Sequence, residues 1–203
     1  MINYYVITAE NGAIIAQSSD FVLSAEDIEA GGWKPIPASI EGDIYNNGVP
    51  LYRMKNGKPA ARTKTEMDAD TLEIVVKPLI ISKIRETKAA LSSFIAENPI
   101  SSTAHGGAAA SYSVTEEKQL LLTNAILMTQ GAASAGIPHE ISWNATGQPS
   151  EAWTLAELQQ LALEISAHVK PLISHQQALE VALNGCVTVE AVEAVEIDYS
   201  AAL

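Results

Sequence analysis

Cysteine is nearly absent from this chain of 203 residues, which holds only Cys186. An intrachain disulfide is therefore excluded, and so is a zinc site built on several cysteines. Lying in an apolar run after an expected helix, Cys186 reads as a buried structural thiol rather than a nucleophile. Aromatic residues make up 5% of the chain, so Ala, Ile, Leu and Val must supply the core. Long hydrophobic runs are missing: the most apolar patch, Ile74 to Ile81, is broken by Lys77 and Pro78 and is far too short to span a bilayer. The first residues, Met1-Ile-Asn-Tyr-Tyr5, lack the basic and apolar segments of a signal peptide, so none is expected there. Basic residues are scarce as well, 12 against 24 acidic ones, for a net charge of −12. The imbalance is −4 over Met1–Lys77, +1 over Pro78–Ser111 and −9 over Tyr112–Leu203, where Lys118 and Lys170 are the only bases. An acidic half of that kind repels phosphate, so neither nucleic acid nor an anionic membrane is an expected partner.

Catalytic signatures are equally thin. There is no G-x-S-x-G nucleophile elbow, no H-E-x-x-H zinc pattern, and no lysine with Ser/Thr after Gly106-Gly107 to make a phosphate loop. The carboxylates of the second half read as helix caps and solvated faces. The residues give no catalytic or cofactor-binding set, and the chain is expected not to be an enzyme. One arrangement merits a metal test: His168 and His175 are seven apart with Glu164 a turn earlier, although Pro171 lies between the histidines. The expectation is that they serve hydrogen bonding or packing, with no metal.

What is present is punctuation. An α+β fold is expected, in three parts: a small β-rich domain over 1–64, a helical linker over 65–100, and a mainly helical domain with one β-hairpin over 101–203. Asn-Gly pairs at 11–12, 47–48 and 56–57 mark hairpin turns, because both residues tolerate positive φ. Ser24 to Asp27 caps one short helix that Gly31-Gly32 ends, and Trp33-Lys-Pro-Ile-Pro37 must be extended. Thr65 with Asp68 has capping-box spacing, and Pro78 punctuates the helical stretch so that a second helix runs to about Glu97. Its apolar seam, Ile80, Ile84, Leu91 and Phe94, faces its own domain or a partner helix. Ser101 to Ser111 reads as a flexible loop or irregular hairpin.

A nine-residue pattern then occurs twice, Tyr112-Ser-Val-Thr-Glu-Glu-Lys-Gln-Leu120 and Trp153-Thr-Leu-Ala-Glu-Leu-Gln-Gln-Leu161. Ser113 with Glu116, and Thr154 with Glu157, have the spacing of capping boxes, and Trp153 with Leu158 that of a hydrophobic staple. In the first helix Leu120, Leu121, Ile126 and Leu127 are the expected buried set. Between the helices Ile141 to Trp153 reads as a hairpin with its turn at Asn144–Gln148. In the second, Leu155, Leu158, Leu161, Ile165 and Val169 form a helical stripe that Pro171 is expected to kink or end, with another helix from about Ile173 to Asn184. Thr188 caps a last short helix. Trp33, Tyr45 and Tyr52, beside turns of the β-rich domain, are the candidate partner-binding residues, set against the alternative that they pack as its core.

From about Ser101 to Tyr199 the chain resembles a domain of unknown function found at the C-termini of tailed-bacteriophage tail and tail-fibre-associated proteins. The resemblance is carried by the Tyr112–Leu120 segment, Ile141-Ser-Trp143, Trp153-Thr-Leu-Ala-Glu-Leu158, Ala167-His-Val169, His175, and Ala182-Leu-Asn-Gly-Cys-Val-Thr-Val-Glu-Ala-Val192. Gln176-Gln177 and Lys118 depart from its usual pattern. The resemblance implies a non-enzymatic structural protein of the tail or tail-fibre region, a virion adaptor or accessory subunit made in the host cytoplasm. Its partners would be other tail or fibre proteins, in a homo-oligomer. A tail-fibre assembly chaperone is the alternative, and a small metal enzyme using His168, His175 and Glu164 is the reading from a different class.

Overall fold

The computed structural model describes residues 2–203, and its elements divide between two compact units. The first comprises residues up to Ile81 together with Cys186–Val192; the second comprises Ser82–Gly185 and Glu193–Leu203. The fold is α+β, with strands concentrated near the N-terminus and long helices in the second half.

In the first unit β1 (Tyr4–Thr8) pairs antiparallel with β2 (Ile14–Ser19) on one side and β3 (Lys34–Ile36) on the other. Between β2 and β3 lies α1 (Ala25–Ala30), closed at its start by the Ser24–Asp27 capping box that the sequence announces. The ring of Trp33 lies over Gly31, where a Cβ would come within 2.7 Å of it, so this contact requires glycine. Two hairpins follow: β4 (Tyr45–Asn46) with β5 (Val49–Pro50), and β6 (Tyr52–Lys55) with β7 (Lys58–Ala61). Both turn through Asn-Gly with positive φ at each residue, 49° and 81° at Asn47-Gly48 and 52° and 76° at Asn56-Gly57. Val6, Ile14, Ile36 and Ile40 form the buried centre, with Tyr4, Ile44, Tyr52 and Met54 packed around it.

Helix α2 (Lys64–Thr71) starts one residue earlier than Thr65. Thr63 is its cap, and Glu66 completes the box; Asp68 instead pairs with Lys64 at 2.9 Å. Arg62 anchors this start, donating to the carbonyl of Pro50 and to Asp70 at 2.7 Å, with its side chain almost entirely covered. Pro78 does not open a separate helix. A π-helical turn, Leu72–Val76, joins α2 directly to α3 (Lys77–Glu97), and Lys77 N–H donates to the carbonyl of Leu72, five residues back. The widened turn places the residue that lacks an N–H where the helix is already re-registering.

In the second unit the C-terminal part of the α3 seam packs on its own unit. Leu91 and Phe94 lie against Leu172, Leu179 and Tyr199, and the Tyr199 hydroxyl donates to the carbonyl of buried Thr87 at 2.8 Å. The glycine-rich segment is a hairpin, β8 (Ile100–Ser102) with β9 (Ala110–Tyr112). Helix α4 (Glu116–Ala135) is capped by Thr115, whose hydroxyl accepts from Lys118 N–H, so the expected Ser113–Glu116 box does not form. A second small hairpin, β10 (Ser142–Trp143) with β11 (Glu151–Ala152), leads into α5 (Leu155–Asn184). Pro171 neither ends α5 nor splits off a helix at Ile173: thirty residues run through as one element, because Val169 and Leu172 on either side of it are both buried. Thr188 caps α6 (Val189–Glu193), and a 3₁₀ turn, Ser200–Ala202, closes the chain.

The expected buried set of α4 is corrected. Leu120 is 62% exposed, Leu121 44% and Leu127 59%, whereas Thr129 is buried and so is Leu122, which clusters with Leu158 and Leu161 of α5. Leu122, Ala125, Ile126 and Thr129 follow one another at helical spacing, so a single α5-facing stripe leaves the other leucines outside. Cys186 is half-buried rather than buried. Among the described residues no helix is long and apolar enough to cross a membrane.

Candidate functional site

A cluster of polar and aromatic side chains in the second unit is built where the two small hairpins meet the start of α5. Its support is the Thr154–Glu157 capping box. One carboxylate oxygen of Glu157, Oε2, accepts from Thr154 N–H at 2.7 Å and from its hydroxyl at 2.8 Å. That half of the group fixes the helix start. The other oxygen, Oε1, reaches into the β8–β9 loop, where it meets His105 Nδ1 at 3.0 Å and Gly106 N–H at 3.4 Å. These donors, with those of Thr154 first in effect, hold the Glu157 carboxyl down to about 2. The opposite ring nitrogen of His105 lies 3.2 Å from Glu151 on β11. In the neutral imidazole only one nitrogen is a donor at a time; the protonated ring donates to both carboxylates.

Aromatic packing holds this pair of contacts in place. The His105 ring stacks on Trp153 with centroids 4.6 Å apart and an 8° tilt, and Tyr112 meets the same indole edge-on at 5.7 Å. Trp153 and Leu158 sit in one buried cluster, as a hydrophobic staple requires, and Trp153 N–H donates to the carbonyl of Ile141 at 3.0 Å. Burial, followed by the nearby Glu151, Glu157 and Glu164, raises the Tyr112 phenol above its usual range. Trp143 on β10 completes the wall, with the Lys118 ammonium 5.9 Å from its ring centre.

Two clefts flank Trp143. One, about 200 Å³, is lined by His105, Tyr112, Trp143, Gln148, Glu151 and Trp153; the other, about 150 Å³, has Lys118 and Asn144 at its edge. Both fall below the few hundred cubic ångströms typical of a small-molecule site, so they suit a single side chain or one ring. Within the first unit a wider groove, about 730 Å³, is lined by Val49, Leu51, Met67, Leu72, Val75 and Val189 among others. Of its charged members Lys64 and Asp68 are already paired with each other, and Glu190 is the third; Asn46, Asn47, Thr71 and Thr188 are its other polar residues, on an otherwise apolar lining.

The sequence candidates lie elsewhere. Trp33 is half-buried over Gly31; Tyr45 is 37% exposed with its hydroxyl donating to the carbonyl of Ile15; Tyr52 is half-buried against the Val6–Ile14 centre. Tyr45 is thus the most accessible of the three. His168 and His175 do share a face of the uninterrupted α5, yet no three His, Cys, Asp or Glu side chains among the described residues gather closely enough to hold an ion. His175 packs edge-on against Tyr199 at 5.5 Å, and His168 Nε2 is buried without a hydrogen-bond partner among the described residues. The His105 cluster escaped sequence reasoning because its carboxylates are 46 and 52 residues away in the chain. The one available signal was Glu157, whose capping role occupies a single oxygen.

Residues 81–201 match the family described as Domain of unknown function (DUF4376). No curated protein and no solved structure matches the chain.

Proposed function

The chain belongs to this DUF4376 family, and from that premise we propose that it is a non-enzymatic structural protein of the tail or tail-fibre region of a tailed bacteriophage, an adaptor or accessory subunit of the virion. The phage context rests on the resemblance carried by Tyr112–Leu120, Trp153–Leu158 and the segment closing at Val192. The observation that supports an adaptor is that each of the two units presents its own exposed apolar side chains. Phe21 and Val22 are 86% and 73% exposed in the first, and Leu127 and Met128 are 59% and 65% exposed in the second. An acidic protein gains nothing in solubility from such residues, and contiguous exposed apolar groups are what a docking surface offers a partner, which supports the adaptor reading. The partners in this reading are other tail or fibre proteins. The trough of the first unit and the Trp143 clefts are each of a size to receive side chains from them.

The test is mass spectrometry of particles purified free of lysate, compared with the crude lysate. The adaptor reading expects the chain in particles at a fixed ratio to the tail proteins. Abundance in the lysate with absence from particles overturns it in favour of a tail-fibre assembly chaperone, which would use the same surfaces and then leave.

A further inference from the structure

Helix α4 has two apolar faces, and among the described residues only one has a partner. The inner face, Leu122, Ala125, Ile126 and Thr129, lies on α5 or in the core beside it. On the opposite side Leu120, Asn124, Leu127 and Gly131 are all exposed and succeed one another at intervals of four, three and four residues. Leu121 and Met128 flank that row. Such spacing is the seam that one helix offers another.

Three features say what covers it. First, charge: from Gln119 to Pro138 there is no Asp, Glu, Lys, Arg or His, in a chain whose net charge is −12. Two copies of so acidic a chain repel wherever their carboxylates approach, and the outer face of α4 is a surface on which they can meet without doing so. A basic partner would find no carboxylate there to pair with. Second, Gly131 sits inside the helix, where glycine is less favourable than alanine by roughly 1 kcal/mol. A Cβ placed on it meets nothing within 4 Å, so packing within the chain does not require its smallness. A second helix crossing closely at that point does. Third, the two carboxylates on α4, Glu116 and Glu117, are both at its N-terminal end. Parallel pairing would bring four of them together; antiparallel pairing separates the two sets by about the 30 Å length of a 20-residue helix.

We propose that the outer face of α4 is a self-association surface: two copies of this chain pair α4 against α4, antiparallel about a two-fold axis near Leu127 and Met128. In that arrangement Asn124 of one copy faces Gly131 of the other, and Leu120 faces the small residues at the partner's C-terminal turn. One helix pair buries less than a standard interface, so the dimer is one that exchanges with monomer on dilution. The proposal does not depend on the phage reading, since it concerns the chain alone.

Sedimentation velocity or light scattering on the purified full chain, over a dilution series into the submillimolar range, tests it. The expected result is a concentration-dependent shift from the 21.5 kDa monomer to twice that mass. Leu127→Glu should weaken association at least tenfold, while Leu163→Glu, on a still more exposed leucine of α5, leaves it unchanged. Gly131→Gln supplies a variant that cannot fail through folding: the space around it is open and helix propensity rises, yet the dimer should weaken at least tenfold. A wild-type chain that stays monomeric throughout overturns the proposal. So does a dimer that survives both Leu127→Glu and Gly131→Gln, since its interface must then lie elsewhere.

Discussion

Helix α5 buries one stripe from Leu158 through Leu183 and keeps Glu157, Glu164, Lys170 and Glu180 at its less buried positions, whereas α4, packed beside it, fully buries only Leu122 and Thr129. Both helices are apolar on average; they differ in how the apolar residues are arranged around the axis. In α5 the leucines lie mostly on one side, so burial follows periodicity. In α4 Leu120, Leu121, Leu122, Ile126, Leu127 and Met128 occupy most of the circumference, and periodicity alone cannot say which side faces in. Only the contact with α5 settles that, and it selects a stripe with one leucine in it.

The sharpest way to break the comparison is to delete side chains on each helix. Leu161→Ala on α5 and Leu122→Ala on α4 remove side chains exposed by 0% and 2%, and each should destabilise the protein by about 2–5 kcal/mol. Leu163→Ala, and Leu120→Ala measured at high dilution where monomer dominates, should stay within about 0.5 kcal/mol of wild type. Denaturant unfolding followed by far-ultraviolet circular dichroism reads all four. A large loss from Leu120→Ala at high dilution would return that residue to the core and remove the second face of α4.

A smaller effect is expected from Pro171, the one residue where α5 departs from local rules. Proline there cannot donate to the carbonyl of Ala167 and its ring crowds the preceding turn, yet the helix runs on because the buried stripe continues on both sides. Pro171→Ala restores the donor without touching that stripe. It should raise stability by roughly 1–3 kcal/mol, seen as a higher unfolding midpoint. A drop instead would mean that the packing of α5 depends on a bend at this point.

How much could be read beforehand follows the same division. Local chemistry was legible: the Asn-Gly turns, the Ser24–Asp27 and Thr154–Glu157 boxes, and the stripe of α5 are all written within a few adjacent residues. Competing local signals misled by one or two residues, as where Thr63 and Thr115 cap in place of Thr65 and Ser113. Two hydroxyl residues, two apart, stand near each helix start, Thr63 and Thr65 for α2 and Ser113 and Thr115 for α4, and local spacing alone does not choose between them. Long-range choices left no local trace. The continuation of α5 through Pro171, the outward face of α4 and the joining of His105 to Glu151 and Glu157 each depend on residues distant in the chain.

The smallest expected effect concerns Glu157, where the caps of the two helices can be told apart by pH. The α5 cap carries a carboxylate in its box and the α4 cap does not, so acid should act on the former. Glu157 is held down to about 2 from an ordinary value of 4.5, first by the Thr154 N–H and hydroxyl and further by His105 and Gly106. Between these two values the unfolded chain binds more protons at this site than the folded one, so stability rises with pH across that window. The contribution is complete above about 4.5 and is lost as pH falls through about 2. Glu157→Gln keeps a residue that a capping box accepts but removes the titration. Its unfolding midpoint should therefore fall less steeply than that of wild type between pH 4.5 and 2. Parallel slopes for the two proteins would mean that the carboxylate is not held by Thr154 and the His105 loop. The β8–β9 hairpin would then have lost the contact that ties it to α5.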